Sequence, residues 1–200
     1  MFALITAAGL VFFFAPWLVR HVVAPGFDPE TAQLATDLTR LLLLSPIFIG
    51  LGGVALGVLN SYHHFTLPAL APISYNVCII AGALALAPLI GVYGLAIGVV
   101  VGALSHLLIQ MPGLVRRGYS FAPHIDWRSP HVREVGRLIL PRMLGQAAFQ
   151  VNFIVITNLA SRLSTGNVAA LNFAYVLLML PIGVFAMSIS SVLFPTLVKE

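Results

Sequence analysis

Charge is scarce in this sequence. Its 200 residues include ten Lys and Arg and six Asp and Glu, so that 8% are charged and 60% hydrophobic. A soluble domain is nearer about 25% charged, and so few charges cannot solvate the surface of a water-soluble fold of this length. Cysteine is almost absent too. Cys78 stands alone inside an apolar run, which excludes an intrachain disulfide and a thiolate metal cluster and leaves the redox compartment open. No acid lies in the middle of an apolar run, so a carboxylate-based intramembrane enzyme lacks its main reagent. A Gly-x-Ser-x-Gly elbow, a phosphate-binding glycine loop and a His-Glu-x-x-His pair are also missing. The sequence therefore predicts a protein that is not an enzyme and needs no cofactor.

What is abundant is apolar length, with a mean hydropathy of +1.01. A helix needs about 20 apolar residues to cross a hydrocarbon core of about 30 Å. Six runs qualify, over 2–23, 39–60, 68–90, 92–115, 136–160 and 168–195. The expected fold class is all-α, a polytopic integral membrane protein of about six transmembrane helices. Residues 1–19 lack the basic start of a signal peptide, and their apolar run continues past Arg20 to Val23, so they read as a span.

The first run ends at Ala24-Pro25-Gly26-Phe27, where Pro and Gly break a helix. Residues 28–37 read as an acidic loop holding three of the six acids, Asp28, Glu30 and Asp37. The second run, after Arg40, passes Pro46, which permits a kink, and Gly50, Gly52, Gly53 and Gly57, which permit close helix approach. A polar turn, Asn60 to His64, leads to Pro68 and Pro72 at the start of the third run. Only Leu89 to Gly94 separate the third run from the fourth, which predicts an antiparallel hairpin; the fourth ends near Pro112. The chain thus divides into four spans over 1–115, a basic linker over 116–135 and two spans over 136–200.

Arg116, Arg117, Arg128, Arg133 and Arg137 cluster around that linker, with Trp127 at interfacial depth. The positive-inside rule makes this segment cytoplasmic and places 28–37, three spans away, outside. Residue 1 and Glu200 are then inside and 161–167 outside, with Arg162 out of place. Basic residues at the ends of apolar runs indicate membrane lipids as partners, not nucleic acid.

Arg142, Gln146 and Gln150 recur every four residues in the fifth run and form one polar stripe. Two readings stand. The stripe faces a hydrated path, where a guanidinium grips phosphate oxygens with two donors; or Arg142 snorkels to head groups while the amides glue helices. Asn152 in the same run, Asn76 beside Ser74 and Tyr75, and Asn172 near Tyr175 either make helix-packing hydrogen bonds or line a wet interior. The candidate cavity set is therefore Arg142, Gln146, Gln150, Asn152, Asn76 and Asn172. His63 and His64 diverge by about 100° on a helix and read as solvated loop residues, not metal ligands. His106, with Gln110 one turn on, reads as a core histidine bonded to a neighbouring helix in preference to a proton relay.

Taken in order, these landmarks resemble the MurJ (MviN) family of lipid II flippases, in the multidrug/oligosaccharidyl-lipid/polysaccharide exporter superfamily. The matching residues are Ala24-Pro25-Gly26-Phe27, Gly57-Val58-Leu59-Asn60, Pro68-Ala69-Leu70-Ala71-Pro72 with Asn76, Gln110-Met111-Pro112, Gln150-Val151-Asn152, Leu159-Ala160-Ser161 and Leu180-Pro181-Ile182-Gly183-Val184. The resemblance implies about fourteen helices in the whole molecule, the first twelve in two lobes around a cavity. This chain would then supply helices three to eight, and the missing remainder of its own fold would be a partner. It also implies alternating-access translocation of lipid II, a polyprenyl-diphosphate-linked glycan, in a bacterial cytoplasmic membrane. Val176 and Ile156 stand where many members carry a cavity arginine and an acidic or amide residue, leaving Arg142 as the only intramembrane cation. A related exporter of drugs or of O-antigen-type lipids, and an inactive membrane scaffold, are the alternatives.

Overall fold

The computed structural model describes residues 2–116, 118, 130–163 and 166–183. Among the described residues five helices are long and apolar enough to cross a membrane: Leu4–Val23, Pro29–Ser61, Thr66–Ile90, Val92–Val115 and Glu134–Ser161. They fall on the first five expected runs. The apolar helix Asn167–Pro181 begins the sixth, and residues 184–195 of that run lie outside the described residues. No strand occurs among the described residues. Large apolar side chains point outward, Phe13 at 79% and Leu84 at 74% exposure, as they must where the surrounding medium is hydrocarbon. The chain is an all-α, multi-pass membrane protein. It forms two compact units, Met1–Val19 with Asp28–Arg142, and Arg20–Phe27 with Met143–Glu200.

In the first unit, α1 (Phe2–Leu18) carries Pro16 in its interior. Proline has no N–H and crowds the carbonyl four residues back, which here belongs to Phe12. Arg40 of α2 (Pro29–Leu42) takes over that carbonyl: its Nε donates to the Phe12 oxygen at 3.2 Å, and the guanidinium lies 5.1 Å from the Phe12 ring centroid. A neighbouring helix thus satisfies the backbone group that the proline frees.

The acidic stretch 28–37 is not a loop. It is helical from Pro29, which extends the second span well before residue 39. Asp28 caps the helix, its carboxylate accepting from the Thr31 amide at 3.0 Å and the Thr31 hydroxyl at 2.7 Å. Pro29 sits where a missing N–H costs nothing, and Glu30 complements the helix dipole. The Thr31 amide and then its hydroxyl hold the Asp28 carboxyl below its ordinary value. The cap is therefore at full strength above the ordinary carboxylate range and weakens as pH falls through the depressed value. Asp28→Ala is expected to speed amide hydrogen exchange in the first turn of α2, most at Thr31, and to leave the following helix unchanged.

At Leu43 the chain turns out of α2 and into α3 (Leu44–Ser61). Pro46 opposes the Leu42 carbonyl, which accounts for the break where the sequence predicts a kink. The third span is α4 (Thr66–Ala81), a π-helical turn over Gly82–Leu86 and the short α5 (Ala87–Ile90). Gly91, at φ 63°, reverses the chain into α6 (Val92–Leu108), giving the predicted hairpin. A break at Ile109 and Gln110 precedes α7 (Met111–Val115).

The α4–α6 contact is backbone on backbone. Gly94, Gly98 and Gly102 repeat every four residues along one face of α6 and are all buried. A methyl group on Gly82 would lie 2.7 Å from the Gly98 Cα, and one on Gly102 would lie 2.8 Å from the Tyr75 carbonyl. Apolar burial drives little association in lipid, so close packing of this kind must hold the helices together. The Gly50–Gly57 series that the sequence singles out contributes less. Gly52 meets the His106 ring, 2.5 Å from a built Cβ to Nδ1, whereas nothing lies within 4 Å of Gly53 or Gly57.

The second unit contains most of α8 (Pro130–Ser161), α9 (Asn167–Pro181) and the segment Arg20–Phe27. Helix α8 starts before residue 136, inside the expected linker. Residues 117 and 119–129 of that linker lie outside the described residues.

Candidate functional site

Helix α8 places Arg142, Gln146 and Gln150 on one exposed stripe. Counting back from the buried Ser161 at the helix end, Arg142 lies about 28 Å along the axis, close to one hydrocarbon thickness. Gln146 and Gln150 lie about 6 and 12 Å deeper than Arg142. The amides thus lie on the helix between the arginine and Ser161, all inside the apolar span Glu134–Ser161. None of the three has a hydrogen bond or ion pair among the described residues. In lipid such a stripe is costly, so it fits against water or further protein.

Asn152 lies about 200° around the helix from Gln150, on the other side. It lines a 340 Å³ cleft between α8 and α9 with Phe149, Phe153, Ile156, Leu171 and Tyr175. The cleft is apolar except for the Asn152 amide and the Tyr175 phenol, and the Phe153 and Tyr175 rings meet edge to face at 5.7 Å. Asn172 faces elsewhere and returns its Nδ2 to the Val168 carbonyl of its own helix at 2.8 Å. Asn76, in the first unit, does the same with the Pro72 carbonyl at 2.9 Å. Each of these two amides bonds a carbonyl four residues back in its own helix.

The first unit holds a polar group that the sequence reading misses. A 530 Å³ cleft between α1, α2 and α3 is walled by Ile5, Phe12, Leu44 and Ile47 together with Asp37 and Arg40. Arg142 is therefore not the only cation on a spanning helix. Arg40 is taken into the second span because that span begins at Pro29, and its head reaches the middle of α1. The proline at position 16, one turn beyond Phe12, is the signal in the sequence that a donor is needed there.

His106 is not hydrogen-bonded to a neighbouring helix among the described residues. Its Nδ1 lies 3.5 Å from the side-chain amide of Gln110, four residues on at the break after α6, and Gln110 also donates to the His106 carbonyl at 2.9 Å. The neighbour, α3, supplies only space, through Gly52.

A third feature joins the two ends of the second unit. The Asn158 side-chain amide donates to the Val22 carbonyl at 2.6 Å, and the Gly26 N–H donates to the Ser161 hydroxyl at 3.2 Å. Ser161 is buried and donates in turn to the Asn158 carbonyl at 2.7 Å. A side chain on Gly26 would run into the Ser161 carbonyl. These four residues make a small latch between the end of the first span and the end of the fifth.

All 200 residues match the family model described as lipid II flippase MurJ. The chain belongs to the MurJ family. It is 36% identical to the lipid II flippase MurJ of Burkholderia cenocepacia over 193 residues, which cover 92% of this chain and 37% of that protein. It is 33% identical to the probable lipid II flippase MurJ of Haemophilus influenzae, over 86% of this chain and 33% of that protein. The corresponding protein of Thermotoga maritima is 31% identical, over 91% of this chain and 36% of its own length. The chain thus spans about a third of the length of the curated relatives it matches. MurJ is a family of flippases, not of enzymes. The landmarks that carry the resemblance, from Ala24-Pro25-Gly26-Phe27 onward, include two of the latch residues, Gly26 and Ser161.

Proposed function

We propose that this chain is the part of a MurJ flippase that carries one wall of the head-group path, and that the whole protein moves lipid II from the inner to the outer leaflet of a bacterial cytoplasmic membrane. The observation that carries the reading is the family match over residues 1–200. The four spans over 1–115 belong to one lobe and the two over 136–200 to the other, joined by the basic linker on the cytoplasmic side. The remainder of the fold covers the Arg142, Gln146 and Gln150 stripe, enclosing water beside it. There the guanidinium holds the diphosphate with paired donors, and the amides and Asn152 take the sugar hydroxyls as the head group advances. Asn76 in the first unit and Asn172 in the second are further polar groups that water or head-group hydroxyls can engage in exchange for their local bonds. The polyprenyl tail stays in lipid throughout, no bond is broken, and net accumulation draws on an ion gradient or the membrane potential.

Alternating access also needs a closed state on each side in turn. The latch of Val22, Gly26, Asn158 and Ser161 lies on the outer side in the positive-inside topology, and its hydrogen bonds suit the state closed to the outside. The test is a chimera. Residues 1–200 replacing the matching third of the Burkholderia protein are expected to sustain growth in cells depleted of their own flippase. A chimera that inserts at normal abundance and fails to sustain growth contradicts the reading.

A further inference from the structure

We infer a second, separate ligand site, for the phosphate of an anionic phospholipid, in a cavity between the α3–α4 turn and α7. The cavity measures 680 Å³ and is lined by His64, Thr66, Leu67, Pro112, Gly113 and Arg116. Its floor is apolar and tightly packed, since a methyl group on Gly113 would lie 2.8 Å from both Leu59 and Leu67 side chains. Its rim is polar. Arg116 is exposed, and its guanidinium has no partner among the described residues. His64 offers a ring N–H and Thr66 a hydroxyl.

Charge decides the class of occupant. No Asp or Glu occurs between Asp37 and Asp126, and no carboxylate lines this cavity among the described residues. A cavity whose rim carries the Arg116 guanidinium is complementary to an anion with several acceptor oxygens, and a phosphodiester meets that need with two donors from one arginine. Depth decides the source. Tyr62 and Phe65, on the same turn, are 52% and 59% exposed, which is the placing of aromatic side chains at a membrane interface. A cavity there opens toward lipid head groups, and its apolar floor accepts the glycerol and the first acyl methylenes. Basic pockets between spanning helices are known to hold anionic head groups in this way. The site uses none of the residues assigned to the lipid II path or to the latch, and it stands whichever substrate the protein carries.

The experiment places the complete protein in nanodiscs of phosphatidylcholine with increasing phosphatidylglycerol and counts retained lipid by native mass spectrometry. Wild type is expected to retain phosphatidylglycerol in preference to phosphatidylcholine. Arg116→Gln should lower that retention by at least about fivefold, the order expected for losing a charge-assisted contact. His64→Gln should lower it less, and Arg162→Gln, an exposed arginine elsewhere, should leave it unchanged. Equal loss in Arg116→Gln and Arg162→Gln would mean diffuse charge attraction and would overturn the site. So would no loss in Arg116→Gln, or displacement of the lipid by millimolar inorganic phosphate, which would assign the cavity to a free anion.

Discussion

Gly98→Leu is expected to abolish the packed α4–α6 hairpin and to leave the protein largely degraded in the membrane. At this position the two helices touch through backbone: a built Cβ lies 3.0 Å from the Gly82 Cα and 3.1 Å from the Cys78 carbonyl. Neither neighbour can rotate away as a side-chain end would. Relief requires the helices to part, which also undoes the Gly94 and Gly102 contacts on the same face. The cost should exceed the roughly 1–3 kcal/mol of ordinary overpacking. Gly53→Leu, on α3 with nothing within 4 Å, is the matched control and should accumulate normally. The measurement is the thermal midpoint of detergent-purified protein, with membrane abundance beside it.

The second large effect is at the latch. Gly26→Val should prevent the Val22–Gly26 segment from seating against Asn158 and Ser161, because the new side chain meets the Ser161 backbone. Insertion and abundance should stay near normal, since the clash lies at a helix end rather than in a span. Transport should fall steeply, as a carrier that cannot close one side does not cycle. A cysteine pair at Val22 and Asn158, in a Cys78→Ser background, reports the geometry directly. Cross-linking should be efficient in the parent and sharply reduced by Gly26→Val. Ser161→Ala, which removes one hydrogen bond and creates no clash, should have a far milder effect.

Much of the fold is legible in the sequence because hydrocarbon imposes a simple length rule. Runs such as Thr66–Ile90 and Val92–Val115 announce themselves by apolar content, and Gly91 between them announces the turn. Helix α2 escapes that rule because it is amphipathic: Ala32 and Thr36 are buried while Glu30 and Gln33 are exposed. Its signature was local chemistry instead, the Asp28-Pro29-Glu30 start of a capped helix. The glycine face of α6 is also written plainly, every fourth residue from Gly94 to Gly102, but the denser Gly50–Gly57 series draws attention first. The clefts and the latch are harder for a physical reason. Asn158 and Val22 are 136 residues apart, and Arg40 and Phe12 are 28 apart. Only packing brings such pairs together, and no periodicity within either helix reports it.

The stripe on α8 shows the same division. Spacing reveals that Arg142, Gln146 and Gln150 share a face, and the helix places Asn152 on the opposite one, toward α9. Asn76 and Asn172, which look equally polar in the sequence, are each engaged with a carbonyl four residues back.

The most direct test of the account is the amount of lipid II that an externally added cleaving enzyme can reach in cells whose only flippase is the chimera carrying residues 1–200. The account predicts that the chimera restores external lipid II, and that Arg142→Gln in it cuts that amount about tenfold at unchanged abundance, the order of one lost bidentate phosphate contact. Lipid II that stays internal despite a folded, inserted chimera, or full external lipid II with Arg142→Gln, would contradict it.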